Sequence, residues 1–74
     1  MHPAQCRMAR AALKLSVRDL ARRAKVATGT IVRLEAGETL QSRTMDVIQH
    51  ALEKAGVEFT NGDKPGVRLK SNKQ

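Results

Sequence analysis

Residues 15–37, LSVRDLARRAKVATGTIVRLEAG, contain two short amphipathic segments separated by a turn. Ser16 is followed three residues later by Asp19, the spacing of a capping box, so we expect a helix to begin there. The apolar residues that come next fall on one face of this helix, namely Leu20, Ala21 and Ala24. Val26 follows as the apolar residue of a turn, and the stretch therefore predicts a helix that packs one face into a core.

A second short helix is predicted after the turn, with a buried face and an unusual outer face. Ile31 and Leu34 are spaced to point inward, and Gly37 is placed to end the helix as a C′ glycine. The opposite face carries small residues at its start and a long cation one turn later, namely Thr28, Gly29, Val32 and Arg33. A helix of this shape fits the major groove of DNA. The stretch thus predicts a helix-turn-helix that binds double-stranded DNA.

This stretch resembles the lambda-repressor-like, Cro/CI-type (XRE-family) domains. The residues that carry the resemblance are Arg10, Leu15, Ser16, Leu20, Ala21, Val26, Thr30, Ile31, Leu34, Glu35 and Gly37. The resemblance extends from about Arg7 to about Gly56. It implies a mainly α fold, a lambda-repressor-like bundle of four to five helices that binds an operator, usually as a dimer. It also implies an ion pair between Arg10 and Glu35, which can be bidentate and in which the guanidinium group retains an edge for a phosphate; two separately solvated charges are the alternative.

Three positions depart from the family pattern. Lys25 occupies the turn position usually held by glycine, so we expect a left-handed backbone there at a cost of about 1 kcal/mol. Val17 and Thr28 stand where the family commonly has glutamine at the starts of the two helices. The fold tolerates these changes, but the operator sequence cannot be transferred from relatives.

Net positive charge is concentrated on the half of the chain that contains the helix-turn-helix. The 74 residues have a net charge of +7 and a pI near 10.6. Residues 1–37 have a net charge of +6, and residues 38–74 have a net charge of +1. A basic face of this kind is typical of polyanion-binding proteins, although a merely soluble basic surface is the alternative.

The flanking segments are predicted to complete one small domain. Helix 1 is expected over Gln5–Lys14 after a frayed Met1–Pro3, and another helix from a Ser42 N-cap to about Ala55, ended by Gly56. The alternation in residues 57–60 and 67–69, with an Asn61-Gly62 turn signal, predicts a β-hairpin. We therefore expect a bundle over residues 1–56, a hairpin with a loop of about six residues over 57–70, and a disordered tail over 71–74.

The hairpin suggests a homodimer, because a two-stranded sheet is marginal alone and its edges favour strand addition. A hairpin that only caps the core of a monomer is the alternative.

Two kinds of DNA contact are expected. Base edges are assigned to Thr28, Gly29, Val32 and Arg33, with Arg33 suited to O6 and N7 of guanine. Phosphates are assigned to Arg10, Ser16, Val17, Arg18, Lys25, Thr30 and Arg43. Together these assignments predict a transcriptional regulator, by default a repressor, that reads an inverted repeat.

Other functions receive less support. The main alternative is an antitoxin-like or adaptor module whose basic face binds an acidic partner protein. No catalytic pairing is apparent, and His2 and His50 lie far apart without a cluster of Cys, Asp or Glu at ligand spacing, so neither an enzyme nor a cofactor is predicted. The lone cysteine and the lack of a signal-like or membrane-spanning apolar segment favour a cytoplasmic protein. The family resemblance implies a nucleoid-associated protein of bacterial or phage origin.

Overall fold

The computed structural model describes residues 1–60 and 63–70. Within these ranges the chain is mainly helical, with four helices followed by an antiparallel two-stranded hairpin. The elements in chain order are α1 (Pro3–Leu13), α2 (Val17–Ala24), α3 (Thr28–Glu35), α4 (Ser42–Ala55), β1 (Val57–Thr60) and β2 (Gly66–Leu69). No helix in this part of the chain is long and apolar enough to cross a membrane.

The α2–α3 pair forms as its sequence predicts. The Asp19 N–H donates to the Ser16 hydroxyl oxygen over 2.9 Å, and the Ser16 N–H donates to the Asp19 carboxylate over 3.1 Å. This reciprocal capping box satisfies two donors at the start of α2. At the other end of α2, Lys25 has φ 60, which confirms the left-handed backbone expected there.

Gly37 ends α3 in a Schellman motif. Its φ is 97, its N–H donates to the Leu34 carbonyl over 3.0 Å, and the Glu38 N–H donates to the Arg33 carbonyl over 3.0 Å. These two bonds satisfy carbonyls that the helix end would otherwise leave open. The predicted role of Gly37 is therefore confirmed.

Two predicted helix starts are wrong. The frayed Met1–Pro3 start is replaced by a cap, because the Ala4 N–H donates to His2 Nδ1 and the His2 N–H donates to Gln5 Oε1. Helix α1 accordingly begins at Pro3 and ends at Leu13 rather than running from Gln5 to Lys14. Ser42 is the first helical residue of α4 instead of its cap; Gln41 holds the cap position and makes no side-chain cap bond.

The core is built from small aliphatic side chains contributed by every helix and by β1. Its buried residues are Cys6, Ala9, Leu20, Ala21, Ala24, Ile31, Leu34, Ile48, Leu52 and Val57. Because α3 packs Ile31 and Leu34 into this core, its opposite face is left in solvent.

The hairpin lies against α1 and shares the core. Residues of β1 pair with β2 in the register Val57–Leu69 to Thr60–Gly66. The buried side-chain amide of Gln5 donates to the main-chain carbonyls of Thr60 and Gly66 over 2.9 and 3.0 Å. Strand β2 begins at Gly66, so the connection is one residue shorter than expected. The predicted Asn61-Gly62 turn and the 71–74 tail lie outside the described residues.

Candidate nucleic-acid interface

The outer face of α3 carries all four residues assigned to base edges. Thr28, Gly29, Val32 and Arg33 are exposed. Val32 is 55% exposed, a large fraction for an apolar side chain on an otherwise polar surface. The helical period brings these side chains together on one face because Ile31 and Leu34 hold the opposite face in the core.

Gly29 is not required by packing. A Cβ built on this residue would meet no heavy atom within 4 Å, and its φ is not in the left-handed region. An exposed glycine inside a helix lowers stability by about 1 kcal/mol relative to alanine. The free space above Gly29 allows another molecule to approach the main chain of α3 closely.

The N-terminus of α3 lacks the kind of cap found on α1 and α2. Ala27 occupies the cap position and provides no side-chain hydrogen bond. The N–H groups of Thr28 and Gly29 have no acceptor four residues earlier within the helix, as at any helix start. They are donors at the positive end of the helix dipole, beside the exposed face.

An open groove of about 500 Å³ follows α3 on one side. Thr30 and Arg33 line it from α3, Val26 and Ala27 line it from the turn before the helix, and Glu38 lines it from the loop that leaves the helix. The opposite wall consists of residues that the sequence did not single out, namely Thr39, Leu40, Gln41 and Thr44. Hydroxyl and amide groups thus border the same groove as the α3 residues.

Arg33 makes an ion pair with Glu38. Its Nε lies 3.8 Å from the Glu38 Oε1, and the two side chains are 55% and 59% exposed. A pair so exposed contributes little to stability, since measured values for surface pairs are about 0–1 kcal/mol. The guanidinium group therefore remains available to a ligand.

The residues assigned to phosphates lie on several elements and differ in their exposure. Lys25, Arg18 and Arg43 are exposed, and Thr30 is half-buried in the groove. Arg43 lies in the first turn of α4, although it is Thr44 that lines the groove. Arg18 lies in the first turn of α2, and Lys25 lies at the end of that helix.

Some of the hydrogen-bonding groups at the start of α2 already have partners within the chain. The hydroxyl oxygen of Ser16 accepts the Asp19 N–H, and the Asp19 carboxylate lies at the same helix end. The main-chain N–H groups of Val17 and Arg18 remain as helix-start donors, because they have no acceptor four residues earlier in the helix. A phosphate bound here would meet those two groups close to a carboxylate.

The guanidinium group of Arg10 binds the carboxylate of Glu35 and is largely shielded from solvent. Its Nε and Nη2 each donate to one oxygen of the Glu35 carboxylate over 2.7 Å, and its Nη1 donates to the Leu15 carbonyl over 3.3 Å. The two side chains are 21% and 10% exposed. The predicted bidentate pair is present, and three of the five N–H donors of Arg10 are used within the chain. Arg10 therefore has little left to offer a phosphate.

Glu35 joins helix α1 to the C-terminal end of α3. Arg7 Nη1 donates to the main-chain carbonyl of Glu35, a contact not foreseen in the sequence. Burial alone would raise the pKa of Glu35. The hydrogen bonds from Arg10 and Cys6 and the charges of Arg10 and Arg7 outweigh that effect and hold its pKa below the ordinary value. The carboxylate is thus ionised and neutralised inside the protein.

Cys6 lies beside this ion pair and is fully buried. Burial, the hydrogen bond with Glu35 and the charge of that carboxylate raise the pKa of the thiol to about 12. A thiol that stays protonated is a weak nucleophile. Among residues 1–60 and 63–70, no three His, Cys, Asp or Glu side chains come together as metal ligands.

In comparisons with known proteins, no protein-family model and no curated protein matches this chain.

Proposed function

We propose that this protein is a sequence-specific double-stranded DNA-binding regulator of transcription, acting as a repressor in the cytoplasm. In this proposal its bundle is of the lambda-repressor-like type, and α2 and α3 form the helix-turn-helix. The observation that carries the proposal is the exposed face of α3, on which Thr28, Gly29, Val32 and Arg33 lie together while the opposite face is packed in the core.

The dimensions of α3 suit the major groove. An α-helix with its side chains is about 10–12 Å in diameter. The groove is about 12 Å wide and admits one helix. The small side chains at the start of α3 let the helix approach the base edges, and the uncapped N–H groups of Thr28 and Gly29 favour an approach to phosphate.

The residues on this face provide several kinds of base contact. Arg33 has the fork of donors that matches O6 and N7 of guanine, and Val32 offers an apolar contact to a thymine methyl group. Thr28 offers either a hydroxyl or a methyl contact. The surrounding cations, Arg18, Lys25 and Arg43, supply attraction to phosphates that does not depend on sequence.

Selection of duplexes from a randomised DNA pool at about 150 mM salt tests this function. The expected result is an enriched inverted repeat whose half-site centres lie about 10 bp, or a multiple, apart. Weak and steeply salt-dependent binding without any enriched sequence contradicts sequence-specific regulation. That result points instead to a basic surface for an acidic protein partner.

We further propose that the protein acts as a homodimer through the edge of β2. The Lys70 N–H donates to the Gly56 carbonyl over 2.9 Å. Since bonded and non-bonded pairs alternate along an antiparallel ladder, the main-chain groups of Val67 and Leu69 point away from β1. Leu69 is 56% exposed. A second copy pairing antiparallel at this edge makes a four-stranded sheet around a two-fold axis.

The variant Leu69→Lys tests the dimer. Light scattering after size exclusion is expected to give the wild type about twice its 8.1 kDa chain mass. The lysine places a charge at the proposed interface and is expected to return the mass to that of one chain. Val47→Lys is the matched control, because Val47 is a 40% exposed apolar residue on α4. A wild type with the mass of one chain at every concentration contradicts the dimer.

A further inference from the structure

The guanidinium group of Arg33 comes closest to Glu38 at its Nε. The shortest distance in this ion pair, 3.8 Å, joins Nε to Oε1, and the guanidinium group of Arg33 makes no hydrogen bond with a residue of the described part of the chain. Other arginines of the chain bind carboxylates differently. Arg10 and Arg68 each use both Nε and Nη2 on one carboxylate. In Arg33 the outer fork of the guanidinium group is left open.

The main chain fixes Glu38 next to Arg33. In the Schellman motif that ends α3, the Glu38 N–H donates to the Arg33 carbonyl over 3.0 Å. The left-handed Gly37 between them sets the direction in which the chain leaves the helix. The backbone of Glu38 is therefore fixed beside the end of α3, which keeps its carboxylate within reach of the Arg33 side chain.

The charge of Glu38 is unfavourable for simple polyanion binding. Its carboxylate is exposed and borders the same groove as Thr30 and Arg33, on the surface that faces DNA in the proposed complex. A carboxylate near phosphates weakens binding to every DNA sequence, because like charges repel. The contact of this carboxylate with Arg33 is the feature that gives it a second effect on binding.

We propose that Glu38 is a positioning residue that orients Arg33 for guanine. The carboxylate attracts Nε, so Nη1 and Nη2 are turned outward as a pair of donors that matches O6 and N7 of one guanine. The same carboxylate disfavours phosphate near Arg33, which reduces binding to other sequences. This inference rests on the proposed function, since it assumes that α3 enters the major groove.

The variant Glu38→Gln tests the inference because it removes the charge and nearly keeps the size. Its affinity is measured for the selected duplex, for duplexes with each G·C pair replaced in turn, and for a random duplex. At the position read by Arg33, the preference for guanine is expected to fall about fivefold, a part of what a bidentate contact provides. Affinity for the random duplex is expected to rise, because one negative charge is lost.

The matched control is Glu58→Gln on the hairpin. Glu58 is also exposed and forms an ion pair with an arginine, Arg68, over 2.8 Å. The substitution changes the net charge by the same amount but leaves Arg33 untouched. It is expected to keep the guanine preference at its wild-type value, and thermal melting is expected to show both variants folded.

Three results separate the inference from the proposed function. If Glu38→Gln strengthens binding to all duplexes by one factor and preserves the guanine preference, Glu38 acts only through its charge and the inference is wrong. If both glutamine variants lower the preference equally, it is also wrong. If the wild type prefers no base pair at any position, the proposed function itself fails, and this inference fails with it.

Discussion

Replacing Glu35 with alanine is expected to lower the free energy of unfolding by about 3 kcal/mol, because it leaves the guanidinium group of Arg10 without its partner. Arg10 and Glu35 are both largely shielded from water and share two hydrogen bonds of 2.7 Å. A domain of this size has only about 4–11 kcal/mol of stability in total. Urea unfolding followed by circular dichroism measures the loss.

Two further variants identify the cause of this loss of stability. Glu58→Ala removes a carboxylate from an exposed ion pair and is expected to change stability by less than about 1 kcal/mol. The double variant Arg10→Met with Glu35→Leu removes both charges and is expected to recover most of the stability lost in Glu35→Ala. Equal losses in Glu35→Ala and Glu58→Ala contradict a stabilising role for the Arg10–Glu35 pair.

Replacing Arg33 with alanine is expected to remove the preference for one base pair of the operator. A bidentate contact with guanine provides roughly 1–3 kcal/mol of discrimination, which corresponds to about a 5- to 150-fold ratio of affinities. The fold is expected to remain intact, because Arg33 is exposed and its one ion pair is a surface pair. Competition binding with the selected duplex and its single-position substitutions measures the ratio.

Arg43→Ala is the matched control for this prediction. Arg43 is an exposed arginine in the first turn of α4, where we assign it to a phosphate. Its loss is expected to weaken binding to all sequences alike and to lower the slope of the salt dependence by about 1. If Arg33→Ala also weakens binding to all duplexes by the same factor, Arg33 contacts phosphate and the assignment to a base is wrong.

The sequence was sufficient for the elements whose ends follow local rules. The capping box of Ser16 and Asp19 and the glycine at position 37 lie within a few residues of the helix ends they define, so spacing alone reveals them. The start of α1 does not follow from the sequence pattern, because histidine is not among the common capping residues, and its ring nitrogen nevertheless accepts the Ala4 N–H.

Contacts between distant parts of the chain were harder to predict. The Arg10–Glu35 pair was expected because of a family resemblance, whereas the bond from Arg7 to the Glu35 carbonyl was not. A main-chain carbonyl is an acceptor in every residue, so no side-chain pattern identifies it as a partner. The far wall of the groove, including Thr39 and Thr44, likewise becomes apparent only when α3 and α4 are brought together.

The bond between Gln5 and the hairpin has a consequence for how the chain folds during synthesis. Gln5 binds carbonyls 55 and 61 residues further along the chain, and its own side chain is buried by that contact. The ribosome adds about 5–20 residues per second, so the two hairpin strands are synthesised several seconds after α1. Helices α2 and α3 meet through neighbouring segments and are free to associate during that interval. We therefore expect the recognition surface to take shape first and the contact between Gln5 and the hairpin to form last.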